Sequence, residues 1–200
     1  MAEGLTEVDD LVVEDGTIVA GANSYNTLAA ITAYATLRQD TYALAWLEAD
    51  ESNQVAAAII ATDFMDKRWC FTSTITDVGT DVLAAQDLEW PRFSQYDSRG
   101  VLIDDDEIPE WITDAHSEYA VRAIDTTTFL AKALQVDLVT QDESGRFIKE
   151  TFEQVGPLRE QIKYSDSKAT RKTPDYGNAD NILRNSGLVV LGAGSMAIRG

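Results

Sequence analysis

The amino-acid sequence predicts a mainly α fold: a helical bundle body with a β-hairpin arm and an extended C-terminal tail. Three observations carry this. Apolar residues recur at helical spacing in three segments that each start near a capping residue; β-branched and aromatic residues flank a Gly-Pro turn at Gly156-Pro157; and the run from Gly187 to Gly200 is apolar but broken by glycine. The chain of 200 residues is 44% apolar and 8% aromatic, enough to build a core and too much for a disordered acidic segment. One cysteine excludes an internal disulfide and a cysteine-based zinc site within one chain, suits a reducing compartment and argues against redox chemistry. The expected organisation is an extended N-terminal segment over 1–22, a helical body over 23–135, a hairpin arm over 136–165, and a linker, short helix and tail over 166–200.

In chain order, residues 1–10 are acidic where a secretory signal carries a basic end and an apolar stretch, so they read as a loose end. Two β-branched runs around Glu14-Asp15-Gly16 fit a short hairpin or an extended lead-in. Asn23 or Ser24 can cap a helix reaching Arg38, with Leu28, Ile31, Tyr34 and Ala35 on one face. Asp40 to Trp46 adds a helical turn. Ser52 can cap a second main helix whose apolar side is Val55, Ile59, Phe64 and Trp69. Thr72 to Thr80 reads as a loop and Asp81 to Leu88 as one or two helical turns. Pro91 forces Trp90 toward an extended conformation, so Trp90, Pro91 and Arg92 form a structural anchor in which the indole pins a crossing loop and Arg92 finds an acidic partner. Asp97-Ser98-Arg99-Gly100 is a turn. Pro109 opens the longest helix, expected over 109–134, with Asp104, Asp105, Asp106 and Glu107 at its positive end and Trp111, Ile112, Ala115, Tyr119, Ala123 and Leu130 on its buried side. Phe147 to Val155 and Leu158 to Tyr164 are the hairpin strands, Tyr164 to Thr173 a polar, basic linker, and Asn178 to Asn185 a short helix.

Charge is unevenly distributed. Residues 1–125 hold 25 acids and 6 bases, a net −19, whereas residues 126–200 hold 9 acids and 10 bases. Affinity for nucleic acid comes largely from Lys and Arg neutralising phosphates, so the first part repels DNA and the last third does not. No apolar run approaches the roughly 18 residues of a membrane helix, and no membrane contact is expected.

Several motifs suggest chemistry and then fail on context. Leu188 to Ala197 matches a strand followed by Gly-x-Gly-x-x-Ala, but three residues after Ala197 leave no room for the helix and acid that dinucleotide binding requires. Asp104 to Glu107 lacks the alternating spacing of a calcium loop. His116 has no nucleophile and acid in a local signature, and reads as a packed or surface residue. Cys70, between Trp69 and Phe71, reads as a small buried apolar residue. Arg146-Phe147-Ile148-Lys149 with Lys163, Lys168, Arg171 and Lys172 could stack on and neutralise a single strand, or contact an acidic neighbouring subunit, since Glu150, Glu153, Glu160 and Asp166 are interleaved with the bases. No catalytic residue, cofactor or metal is expected.

The ordered set Glu14-Asp15-Gly16, Gly21-Ala22-Asn23-Ser24-Tyr25, Ala61-Thr62-Asp63-Phe64-Met65-Asp66, Glu89-Trp90-Pro91-Arg92, Gly100-Val101-Leu102-Ile103 with Ile108-Pro109, and Val155-Gly156-Pro157 resembles a tailed-phage family. This is a family of head-to-tail connectors or adaptors, often labelled DnaT-like single-stranded DNA-binding. The likeness spans about residues 11–185. It implies a virion protein at the head-tail junction, assembled in the host cytoplasm as a ring of twelve copies that joins the portal protein to a tail or nozzle protein and continues the DNA channel. On that implication Leu188, Val189, Val190, Leu191, Met196 and Ile198 engage the portal. Phe147, Phe152, Arg159 and Lys163 touch a neighbouring subunit or the tail protein. Asp104, Asp105, Asp106 and Glu107 are candidates to face the channel, where repulsion lets DNA pass without specific binding. The alternative is a single-stranded DNA-binding protein acting in phage replication.

Overall fold

The computed structural model describes residues 10–76, 86–97, 99–134, 148–154, 159–164 and 176–191. These are mainly α, with short two-stranded antiparallel sheets and a longer β-hairpin. The chain divides into two compact units, Met1–Leu134 with Asp175–Gly194, and Gln135–Pro174 with Ser195–Gly200.

In the first unit, helix α1 (Leu28–Arg38) is capped by Thr27, whose hydroxyl accepts from the Ala30 amide, and ends on Gln39 in the left-handed region at φ 53°. The cap expected at Asn23 or Ser24 is corrected: Asn23 instead accepts from the Val12 amide and donates to the Asp10 carbonyl, and Ser24 bridges to Val13, tying the N-terminal segment down. That segment forms a loop rather than a hairpin. Helix α2 (Thr41–Glu48) starts where Asp40 accepts two amides, from Tyr42 and Ala43. Helix α3 (Glu51–Arg68) is capped by Asp50, with Ser52 donating to that carboxylate instead of capping, and it is the longest helix among the described residues.

Short strands follow: β1 (Trp69–Phe71), β2 (Thr74–Ile75), β3 (Arg92–Phe93), β4 (Gln95–Tyr96) and β5 (Leu102–Ile103). Strand β2 pairs with β3 and β4 with β5. Cys70 is exposed, not buried, because β1 alternates and turns Trp69 and Phe71 inward. Of the helical turns expected over 81–88, residues 81–85 lie outside the described residues.

Helix α4 (Glu110–Arg122) is the centre of the body, packed by α1, α2 and α3 and by a fifth helix, α5 (Gly177–Ser186). Its residues 115–121 are all buried, the polar His116, Ser117 and Glu118 included. The helix expected to reach residue 134 ends twelve residues earlier. Asp125 accepts the amides of Thr127 and Thr128, Phe129 takes φ 56°, and Lys132 donates back to the Ala123 carbonyl, so the chain doubles back instead of continuing. Leu130, expected on the buried side, is 55% exposed.

Helix α5 (Gly177–Ser186) ends on Gly187 at φ 73° and leads through buried Leu188 into strand β8 (Val189–Leu191), which pairs antiparallel with β1 in the register Trp69↔Leu191, Cys70↔Val190, Phe71↔Val189. Here the expectation of an extended tail from Gly187 is corrected. The first residues of that apolar run complete the body because β1 offers them a free edge.

In the second unit, β6 (Ile148–Gln154) pairs antiparallel with β7 (Arg159–Tyr164), with a register shift between Ile148 and Glu150. This is the hairpin the sequence predicts. Phe147, the Gly156-Pro157 turn and the linker over 165–173 lie outside the described residues.

Candidate interaction surfaces

The loop between β2 and β5 is held from inside. Trp90 is fully buried, edge-on to Phe71 at 5.9 Å and to Trp111 at 5.3 Å, and the Trp90–Pro91 peptide is cis. The Arg92 guanidinium pairs with the Glu89 carboxylate and donates to the Ser73 carbonyl, while its Nε donates to the Glu89 carbonyl at 2.8 Å. Below them, Asp66 accepts from the Tyr25 hydroxyl at 2.8 Å and from the Glu89 amide at 3.2 Å. Burial pushes the Asp66 carboxyl up to about 7, against the hydrogen bonds from Tyr25 and Glu89 that favour its charge.

In the β4–β5 hairpin that follows, β5 turns Ile103 onto the core while β4 turns the polar Gln95 inward. Gln95 is buried and Ile103 half-buried, while their neighbours Tyr96 and Leu102, directly paired across the strands, are 51% and 52% exposed. Phe93 and Val101 are exposed as well. Asp97 accepts the Val101 and Arg99 amides and pairs with the Arg99 guanidinium, which together hold its carboxyl below the usual carboxylate range. Asp104, Asp105, Asp106 and Glu107 follow, all exposed. Their backbone is fixed, since Thr76 donates to the Asp105 carbonyl and Gly16 lies so close to the Asp106 carbonyl that a Cβ there would sit 2.0 Å away. They stop short of the first turn of α4, where Pro109 is the N-cap and Glu110 the acid.

A second apolar surface lies on α2, which is hydrophobic on both sides. Ala43, Ala45 and Trp46 face the core, while Tyr42, Leu44 and Leu47 are exposed, as is Leu37 on α1. Tyr42 carries the Arg122 guanidinium over its ring at 4.7 Å.

The C-terminal return is fastened by buried charge. Asp180 is fully buried and accepts from Arg68 Nη2 at 2.5 Å and from the Tyr119 hydroxyl at 2.5 Å; Trp69 Nε1 donates to the same hydroxyl at 3.1 Å. Beside it, buried Glu118 accepts from Tyr34 at 2.7 Å, Arg122 at 2.7 Å and Asn178 at 3.2 Å. Sequence reasoning missed both clusters. The i,i+4 spacing of Glu118 and Arg122 was a readable signal; Arg68 and Asp180, 112 positions apart, gave none. Of the run expected to form a tail, Leu188 is buried, Val189 is half-buried and Val190 and Leu191 lie on β8, while Met196 and Ile198 lie outside the described residues.

His116 is fully buried. Its Nε2 lies 3.0 Å from both the Ala58 carbonyl and the Thr62 hydroxyl and 3.5 Å from Ser24, and its Nδ1 has no hydrogen-bond partner. Burial lowers its pKa to about 4, so the ring is neutral at physiological pH. Without an acid on Nδ1 or access for a substrate, this cluster packs α3 against α4 and does not form a catalytic triad. In the hairpin unit, Phe152 lies opposite Gln161, Arg159 opposite Gln154 and Lys163 opposite Glu150. Among the described residues no group of His, Cys, Asp and Glu could hold a metal ion, and no helix is long and apolar enough to cross a membrane.

Compared with known families, the chain matches over residues 10–199 the family described as "Putative DnaT-like ssDNA binding protein". It belongs to that family. The match takes in both units of the DnaT-like chain and runs on past Gly187, so the apolar C-terminal run, which falls outside the likeness read from the sequence, is part of the family's pattern. The family's description names binding and no reaction. No curated protein and no solved structure matches the chain.

Proposed function

We propose that this DnaT-like protein is a structural adaptor of a tailed-phage virion, a ring component that joins the portal to the tail and lets DNA pass without holding it. The observation that carries this reading is the division of charge. The unit Met1–Leu134 with Asp175–Gly194 and the short C-terminal piece together hold 27 acids against 9 bases, while Gln135–Pro174 holds 7 of each. A surface that negative repels phosphates at contact distance, and its exposed apolar residues on β3–β5 and α2 suit protein partners. The test is electron microscopy of the purified protein mixed with its portal: an added ring of matching symmetry is expected, and a bare portal at saturating protein refutes the reading.

A second reading, single-stranded DNA binding in replication, is favoured by the family's description, which is the only support the comparisons lend to either. It places the contact on the charge-balanced hairpin unit. Retention on a single-stranded oligonucleotide at low salt, lost steeply as salt rises, is its signature; no retention eliminates it.

A further inference from the structure

Strands β4 and β5 set Tyr96 directly opposite Leu102, and side chains opposite one another in an antiparallel pair share one face of the sheet. Both are exposed, as are Phe93 and Val101 close by in the chain. The alternate positions Gln95 and Ile103 take the inner side, so the outer pair adds nothing to the core. The four side chains offer on the order of 350 Å², inside the range of apolar patches that mark interaction sites and well under the ~800 Å² per partner of a standard interface. A short segment fits a patch of that size better than a folded face does.

Charge decides which segment. Asp104 stands two positions after Leu102, about 7 Å along an extended chain, and opens the exposed run Asp104-Asp105-Asp106-Glu107. That separation is shorter than the roughly 8–10 Å over which salt screens a charge. The run is held by its backbone: the Thr76 hydroxyl donates to the Asp105 carbonyl at 3.1 Å, and the Asp106 carbonyl lies against Gly16. Asp97 is paired with Arg99, whereas among the described residues none of the four acids makes an ion pair. Uncompensated carboxylates beside an apolar pair repel nucleic acid, an anionic lipid surface and an acidic protein. This chain supplies no counter-charge to a second copy either: Gln135–Pro174 carries 7 acids and 7 bases, and the rest carries 27 acids against 9 bases.

We propose that the Tyr96–Leu102 face and the acid run beside it bind a short basic, apolar segment of a different protein. Its apolar side chains cover Tyr96 and Leu102, and its Lys or Arg residues meet Asp104 to Glu107. That the occupant is a protein rests on the adaptor reading; the four acids then serve a protein contact and do not line the DNA channel. Apolar burial supplies the hold, while the carboxylates speed encounter and turn away acidic competitors, so binding weakens with salt without vanishing.

The test selects mRNA-displayed random peptides of about twelve residues on the immobilised full-length chain and titrates the strongest binders against two variants. Tyr96→Ser/Leu102→Ser removes the apolar pair, and Asp104→Asn/Asp105→Asn/Asp106→Asn/Glu107→Gln removes the charge. All six side chains are exposed, and wild-type thermal unfolding checks each fold. The selected peptides are expected to carry net positive charge and at least two large apolar residues, to bind the first variant at least tenfold more weakly, and to lose most of their salt dependence on the second. In an otherwise wild-type chain, p-benzoylphenylalanine at position 96 is expected to cross-link to them. Neutral or acidic binders, basic binders without apolar residues, binding that both variants leave unchanged, no cross-link from position 96, or no binders at all would each overturn the proposal. The portal experiment reads a separate outcome: a bare portal leaves peptide binding at this face standing, and a failed selection leaves an added ring on the portal untouched.

Discussion

Replacing Asp180 tests how the body is closed. In the native chain its carboxylate, with no solvent exposure, meets the Arg68 guanidinium, 6% exposed, and the Tyr119 hydroxyl, each at 2.5 Å. Asp180→Ala leaves a buried guanidinium without its counter-charge and a buried hydroxyl without its acceptor. Breaking a buried pair from one side costs about 3–5 kcal/mol. Only about 5–15 kcal/mol separates a folded domain of ordinary stability from its unfolded state, so this single change removes a large share. The loss is asymmetric: in Arg68→Met/Asp180→Leu neither charge is stranded, and most of the stability returns. Urea unfolding of the full chain measures both variants, with the slope of the transition checking that the unfolded states are comparable. Amide exchange then locates the damage, which is expected over α5 and β8 before α1 and α2. A cost for Asp180→Ala below about 1 kcal/mol, or a double variant no more stable than the single one, refutes the idea that this ion pair holds the C-terminal return in place.

Asp66 governs stability near neutral pH: its folded pKa of about 7 lies above its unfolded value, so the folded state keeps a proton that the unfolded state sheds. Stability is fully present below pH 4 and falls as pH rises to 7, by at most about 1.4 kcal/mol per pH unit for this group; Asp66→Asn, which still accepts from Tyr25, is expected to flatten that slope in unfolding curves taken from pH 4 to 8. Gly16→Ala forces a Cβ onto the Asp106 carbonyl at a backbone φ of 105°, an overpacking and conformational cost of about 2–4 kcal/mol. An unchanged melting temperature would show that the 14–18 loop does not pack there. Truncation after Ser186, which strips buried Leu188 and strand β8 from β1, is expected to lower the melting temperature markedly; an unchanged melt would mean that β8 adds nothing to the body.

The helices were legible because their signals are local. Asp40 before α2, the apolar periodicity of α4 and the Gly187 stop of α5 can be read within one or two turns of chain. Caps were misplaced by a few residues where several candidates compete: Ser52 lost to Asp50, two positions earlier, which accepts from it. The end of α4 was misread because the Thr126-Thr127-Thr128 run is only weakly anti-helical, and the Asx turn at Asp125 that terminates the helix is a choice the backbone makes in three dimensions. The fate of Leu188 to Leu191 was out of reach, since an apolar run reads alike whether it is free or paired. Only the edge of β1, more than a hundred residues upstream, decides it. The exposed face at Tyr96 and Leu102 was hidden for the same reason: alternation shows two faces and does not say which one looks inward.

The late arrival of α5 and β8 has a consequence for synthesis. Leu134 closes the first run of the body, but Asp180, Leu183 and Leu188, which fill its centre, are made after the hairpin unit. At about 5–20 residues per second on the ribosome, the first helices wait several seconds with Arg68 and Tyr119 uncovered. The hairpin arm can therefore form while the domain that carries it is still unfinished.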